Sequence, residues 1–161
     1  MRLTHPIRVG MSFGLTSGVI TTLGLLVGLS ASTSSRTAVV AGIITIAVAD
    51  SLSDALGIHV SEESEAVHSP REVWISTLAT FVAKLLVALT FVIPLIAFPL
   101  RTAVVVAVLW GAVALAVLSI DLGRRQGIDP KPLLLEHLGV AALVIAASHF
   151  VGLGISAIFS E

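Results

Sequence analysis

Residues 38–54 read AVVAGIITIAVADSLSD, twelve uncharged residues followed by two aspartates, Asp50 and Asp54, one helical turn apart. An apolar run of this kind belongs either to a buried core or to a lipid bilayer, and composition decides between them. The chain has 161 residues, of which 56% are hydrophobic and only 12% charged. Its mean hydropathy is +1.06. A soluble domain of this size needs more charge to cover its surface, so the sequence predicts an all-α membrane protein. A carboxylate at membrane depth costs roughly 2.5–3.5 kcal/mol on insertion scales, and such residues face a bundle interior or a wet cavity. Asp50 and Asp54 are therefore the first candidates for a functional site.

A spanning helix needs about 20 mostly apolar residues. Working outward from the quoted run, five stretches qualify: 9–31, 37–58, 73–98, 102–120 and 133–158. They form a single five-helix transmembrane domain. The first lacks the short apolar region and small-residue cleavage site of a signal peptide, and has the length of a span. An odd number of spans places the termini on opposite sides. With the N-terminus inside, the inner segments hold Arg2, Arg8, Arg71, Arg124, Arg125 and Lys131, and the outer loops hold Arg36 and Arg101. Positive charge collects on the cytosolic side, so the N-terminus is expected in the cytosol and the C-terminus outside. Pro70 is expected to mark a boundary before the third span, because the residue before proline avoids the helical region. Pro94 and Pro99 are expected to kink or end it. Trp74 reads as an interfacial anchor and Trp110 as packing.

Composition also excludes several classes. Cysteine is absent, which removes disulfides and thiolate metal sites. A net charge of −1 excludes a strongly basic nucleic-acid binder. There is no phosphate-binding glycine loop, no HExxH, no GxSxG and no dinucleotide fingerprint, so the chain is not expected to be an enzyme and no permanently bound cofactor is expected. An intramembrane aspartyl enzyme shares only its residue type with the two aspartates.

The carboxylates, by contrast, have a partner. At 100° per residue Asp50 and Asp54 share one helix face. If the helix continues past residue 58, then Gly57, Ser61, Glu65 and His68 extend the same stripe. Oxygen ligands suit hard or borderline cations such as Mn²⁺ and Fe²⁺, and His59 and His68 add imidazole. The candidate metal residues are Asp50, Asp54, His59, Glu62 and Glu65, the last three at the cytosolic mouth. Glu62, Glu63 and Glu65 also read as a solvated helix end. Lys84 interrupts the third span. At 1.5 Å per residue Asp50 lies roughly 20 Å, and Lys84 roughly 21 Å, from the outer end of its span, so contact is possible if the helices are neighbours. Such a pair is either a fixed ion pair or a switch in which an arriving cation displaces the ammonium. Glu136 and His137, with Lys84, are candidates for proton coupling, and His149 for a relay or a local hydrogen bond. The first span carries Gly14-xxx-Gly18 and Gly24-xxx-Gly28, a pattern that lets helices approach closely. Ser17, Thr21 and Thr22 form a possible polar path beside Asp50.

Ser17–Ser30, SGVITTLGLLVGLS, together with Ala41-Gly42-Ile43 and Asp50-Ser51-Leu52-Ser53-Asp54-Ala55-Leu56-Gly57, resembles the first two helices of the vacuolar iron transporter family. Pro94 and Phe150-Val151-Gly152 also fit. The resemblance is concentrated over residues 14–65. It implies a five-helix protomer that forms a homodimer about the first helix and exports Fe²⁺ or Mn²⁺ from the cytosol in exchange for protons. The ligand positions differ. Ser17 stands where the family has an acidic residue, Thr45 replaces a glutamate and Asp54 a methionine. Only Ser61–Glu72 stands where the family has a cytoplasmic metal-binding domain. The expected function is thus divalent-cation transport by an integral, multi-pass protein (in the plasma membrane if prokaryotic). The alternative is a non-transporting scaffold or metal-sensing subunit with a static Asp–Lys pair.

Overall fold

With no charge between Arg8 and Arg36, nothing in that stretch interrupts a helix. The structure, a computed structural model, describes residues 4–159. Its helices are α1 (Thr4–Thr33), α2 (Arg36–Glu65), α3 (Pro70–Thr90), α4 (Val92–Ala97), α5 (Leu100–Gln126) and α6 (Pro130–Phe159). There is no strand among the described residues. Counting α3 and α4 as one span, five helices are long and apolar enough to cross a membrane, and they point to an integral membrane protein. Each starts before its expected limit and all but the third run past their expected ends, because the polar residues at the ends cap and continue the helices rather than stopping them.

The turns follow from local chemistry. Ser35 Oγ accepts from the Ala38 N–H and opens α2. Ala66, at φ 54°, closes it in the left-handed region. Pro70 is the first residue of α3, as expected. The preceding Ser69 makes a reciprocal capping box: Glu72 N–H donates to Ser69 Oγ at 3.4 Å, and Ser69 N–H donates to Glu72 Oε2 at 2.9 Å. Pro94 lacks an N–H for the Thr90 carbonyl and crowds it. The helix breaks there, at Phe91, and resumes as α4. Arg36 Nη2 reaches across to the Phe98 carbonyl at 3.0 Å and ties the start of α2 to the end of α4.

Helix directions can be read from the neighbours of the glycines. Gly14 meets Thr80 and Lys84, and Gly18 meets Lys84 and Val87, so α1 and α3 run in parallel. Gly24 and Gly28 meet Val144 and Ser148, so α6 is also parallel to α1. Gly42 rests on Leu25 and Leu29 while Asp54 meets Ser17, so α2 runs antiparallel to α1. The two GxxxG pairs are thus spent inside the protomer, the first on α3 and the second on α6. A Cβ on Gly14 would sit 2.6 Å from the Thr80 carbonyl oxygen, so only glycine permits this approach.

α1 is the central helix, with α2, α3, α5 and α6 all packed on it. The core joins Val19, Leu23 and Leu26 of α1 to Ile43, Phe91, Leu95 and Leu115. Helix α5 buries a ridge at four-residue spacing, Ala103, Ala107, Gly111, Leu115, Ser119 and Gly123. Most of these are small, which lets α5 close on Leu23 at Gly111. The opposite faces are apolar and open: Ile44, Val48, Leu52 and Leu56 on α2, and Leu135, Leu143, Phe150 and Ile158 on α6. An exposed apolar belt of this extent suits lipid rather than water. Trp74 lies on the outer surface. Trp110, expected to pack inside, is 43% exposed and donates through Nε1 to Thr90 Oγ1 at 3.0 Å, because its ring sits beside the break after Thr90 rather than in the core.

Candidate functional site

Helix α2 buries Ala47, Ser51 and Ala55 at four-residue intervals. Asp50 and Asp54 flank that ridge on the side of α1 and α3. The contact that the matched depths allowed is made. Lys84 Nζ lies 2.5 Å from Asp50 Oδ2 and pairs with Asp54 Oδ2 as well. It also donates to Ser17 Oγ at 3.0 Å, and Ser17 Oγ in turn donates to Asp54 Oδ2 at 2.7 Å. Asp54 Oδ2 and Ser17 Oγ accept hydrogen bonds from the ammonium, whereas Asp50 Oδ2 is buried beside it as an ion-pair partner with no hydrogen bond of its own. Lys84 is only 2% exposed. The side chains of Asp50 and Asp54 are 25% and 22% exposed. Their Oδ1 atoms accept no hydrogen bond from the described residues.

The packing that creates this cluster is specific. Gly18 has no side chain, so the stem of Lys84 lies directly against α1. The same close approach brings Ser17 within reach of both Nζ and Asp54. Ser17 also lines, with Phe13, Thr16, Ile20 and Thr21, a shallow depression of ≈ 290 Å³ on the open face of α1. Ser17 is therefore the one residue shared by the ion cluster and this surface. Of the expected polar path, Thr21 Oγ1 donates back to the Ser17 carbonyl at 2.8 Å, and Thr22 is buried. Neither bonds an aspartate, because helical threonine satisfies its hydroxyl on its own backbone or points into the core.

The cytosolic mouth is rearranged relative to the expected ladder. α2 does run on to Glu65, but Ala66 turns the chain, so His68 leaves the helical stripe and folds back. Its Nδ1 lies 2.9 Å from Glu62 Oε2, and its ring stacks on His5. Glu62 is thus buried and paired rather than solvated, whereas Glu63 and Glu65 are exposed. His59 Nδ1 is 2.9 Å from Thr77 Oγ1, with Nε2 3.6 Å from Glu63 Oε1 and the ring edge-on to Trp74. These residues do not gather into one metal cage: among the described residues no three His, Asp or Glu side chains converge in a way that would hold an ion.

Glu136 and His137 do not reach Lys84. His137 Nδ1 pairs with Ser119 Oγ at 2.8 Å, and Glu136 is exposed. The reason is depth. His137 shares a cleft with His5 and Arg8 at the beginning of α1, whereas Lys84 sits more than two turns further along, beside Ser17. His149 packs edge-on against Phe150 on the outer face of α6.

The sequence offered no signal for Thr77 and Ser119 as histidine partners. Serine and threonine are common in this chain, and only helix packing selects which of them meets an imidazole. Ser51 was passed over as well. Its Oγ is fully buried and has no hydrogen-bond partner among the described residues.

Chemically, the cluster sets two carboxylates against one ammonium. By formal count one negative charge is left over, on two side chains that are partly open. Comparison of the sequence with family models and with curated proteins finds no match.

Proposed function

We propose that this protein is a multi-pass transporter of divalent cations, with Fe²⁺ or Mn²⁺ as cargo, in which Asp50 and Asp54 take the cation and Lys84 is the charge it displaces. One observation carries this reading: two membrane carboxylates share a single ammonium. A purely structural bridge needs one carboxylate per lysine. The second leaves one negative charge uncompensated, and in a low-dielectric setting that charge calls for a further cation. The donors that stay open are carboxylate oxygens with a neighbouring serine hydroxyl, a hard set that suits Mn²⁺ or Fe²⁺.

Further support comes from the resemblance of Ser17–Ser30 and of the Asp50–Gly57 segment to the vacuolar iron transporter family. On this reading the N-terminus is cytosolic, the membrane is the plasma membrane in a prokaryote, and export from the cytosol is coupled to protons through Lys84. A second copy docks on the open face of α1 around Phe13, Thr16 and Ile20, since the glycine faces are already filled by α3 and α6. That placement sets the two Ser17 residues toward each other across the interface.

The test is Fe²⁺ and Mn²⁺ flux in proteoliposomes. Asp54→Asn abolishes flux while the oligomer survives, and unchanged uptake of both metals would sink the proposal. The competing reading is a static bridge in a non-transporting subunit, and the burial of Lys84 against two carboxylates and the Ser17 hydroxyl favours it. A charge-free variant separates the two. For a static bridge, Asp50→Asn and Asp54→Asn together with Lys84→Met remove all three charges and restore whatever function the single changes lose. A transport site yields a folded but inactive protein.

A further inference from the structure

We propose that the cleft between α1, α5 and α6 binds an anionic glycerophospholipid. The cleft has a volume of ≈ 470 Å³ and lies where α1 begins and α5 ends. Its lining is ordered along the helix axes. Arg8 and Arg125 stand at the end of the bundle, and Leu15, Leu118 and Leu122 lie further in. From Arg8 to Leu15 the wall descends about 10 Å. A cationic rim above an apolar wall, at the end of membrane-spanning helices, matches a phosphate headgroup above its acyl chains.

The charge balance selects the headgroup. Arg125 Nε is 2.6 Å from Asp121 Oδ2, which also lines the cleft. That bond occupies Nε and leaves the Nη donors of the guanidinium free. Arg8 is exposed and has no carboxylate partner among the described residues. Two guanidiniums against one carboxylate leave one positive charge. A phosphate diester with an uncharged substituent supplies one negative charge. A choline headgroup would bring a cation of its own to a cationic rim. The site is independent of the Asp50–Asp54–Lys84 cluster, so it stands or falls separately from cation transport.

The experiment uses the full chain in a non-ionic detergent, with bound lipid counted by native mass spectrometry. Three probes are titrated: dioleoylphosphatidylglycerol, dioleoylphosphatidylcholine and inorganic phosphate. Phosphatidylglycerol is expected to remain bound, phosphatidylcholine to dissociate, and excess inorganic phosphate to leave the bound lipid in place. Arg8→Gln with Arg125→Gln is expected to weaken phosphatidylglycerol binding about thirtyfold, from about 1 kcal/mol per basic residue. Leu118→Trp, which fills the apolar wall and keeps both arginines, is expected to weaken it as well. Arg36→Gln, at the other end of the bundle, leaves it unchanged. Helical circular dichroism checks that each variant is folded. Equal retention of the two lipids, displacement by inorganic phosphate, or undiminished phosphatidylglycerol binding in either cleft variant overturns the proposal.

Discussion

Replacing Lys84 by methionine removes the ammonium and keeps a flexible apolar side chain of similar length in the same slot. Because Nζ holds both Oδ2 atoms, these oxygens lie within about 5 Å of each other, and at an effective dielectric of 20 two unit charges at that distance repel by about 3 kcal/mol. Breaking a buried ion pair from one side costs about 3–5 kcal/mol, the same order. Lys84→Met is therefore expected to lower the midpoint of thermal unfolding in detergent by about 6–12 °C. Asp50→Asn is the informative contrast. It leaves Lys84 with one carboxylate, Asp54, and so removes the surplus charge, at a cost of about 1 kcal/mol for the lost ion-pair contact of a partly exposed carboxylate. The prediction is an asymmetry: the lysine change is worse than the aspartate change by at least about 2 kcal/mol. Thermal unfolding followed by circular dichroism reads both. Equal losses, or a Lys84→Met protein as stable as its parent, would refute the picture of a net-negative cluster. Titrating Mn²⁺ extends the same experiment. If a cation can take the place of the ammonium, Mn²⁺ raises the midpoint of Lys84→Met more than that of the parent.

Gly18→Leu places a Cβ 2.6 Å from Val87 Cγ1 and 3.2 Å from Lys84 Cγ, so it should separate α1 from α3. The expected cost is about 1–3 kcal/mol in thermal unfolding, with loss of cation flux because Ser17 and Lys84 move apart. A variant with normal flux and stability would contradict the packing. Ala66→Gly relieves a left-handed residue at φ 54° and should stabilise by up to about 1 kcal/mol, seen as a raised unfolding midpoint; a lowered one counts against the cap. His68→Ala leaves buried Glu62 without its partner and should cost about 1–3 kcal/mol, which replacing Glu62 by leucine in the same chain should recover. If the double change recovers nothing, the pair does not hold the α2–α3 turn.

Much of the architecture was legible because lipid imposes a one-dimensional constraint. Every spanning segment must satisfy its own backbone and present apolar side chains, so hydropathy and length count the helices. Span limits were less legible. Ser35 and Ser69 set helix starts through hydrogen bonds that a hydropathy profile does not see. The ladder below Asp54 was partly misplaced for a similar reason. A stripe drawn on an ideal helix cannot anticipate that Ala66 turns the chain and folds His68 onto Glu62. Glu136 and His137 were named with Lys84 as proton-coupling candidates on residue type alone, and their depth along the bundle keeps them out of contact with it.

The chain by itself determined that Asp50 and Lys84 lie at one depth, with Asp54 one helical turn further on, because rise per residue is constant along a helix. It did not determine that they touch. That depends on which helices are neighbours, and on how closely α1 and α3 can approach at Gly14 and Gly18. Only the tertiary structure shows one lysine shared between two aspartates, with Ser17 bonded to both Lys84 and Asp54. The surplus negative charge is a property of that three-helix junction and of no single helix, since charges balance between neighbours in space, and a sequence orders residues along one line.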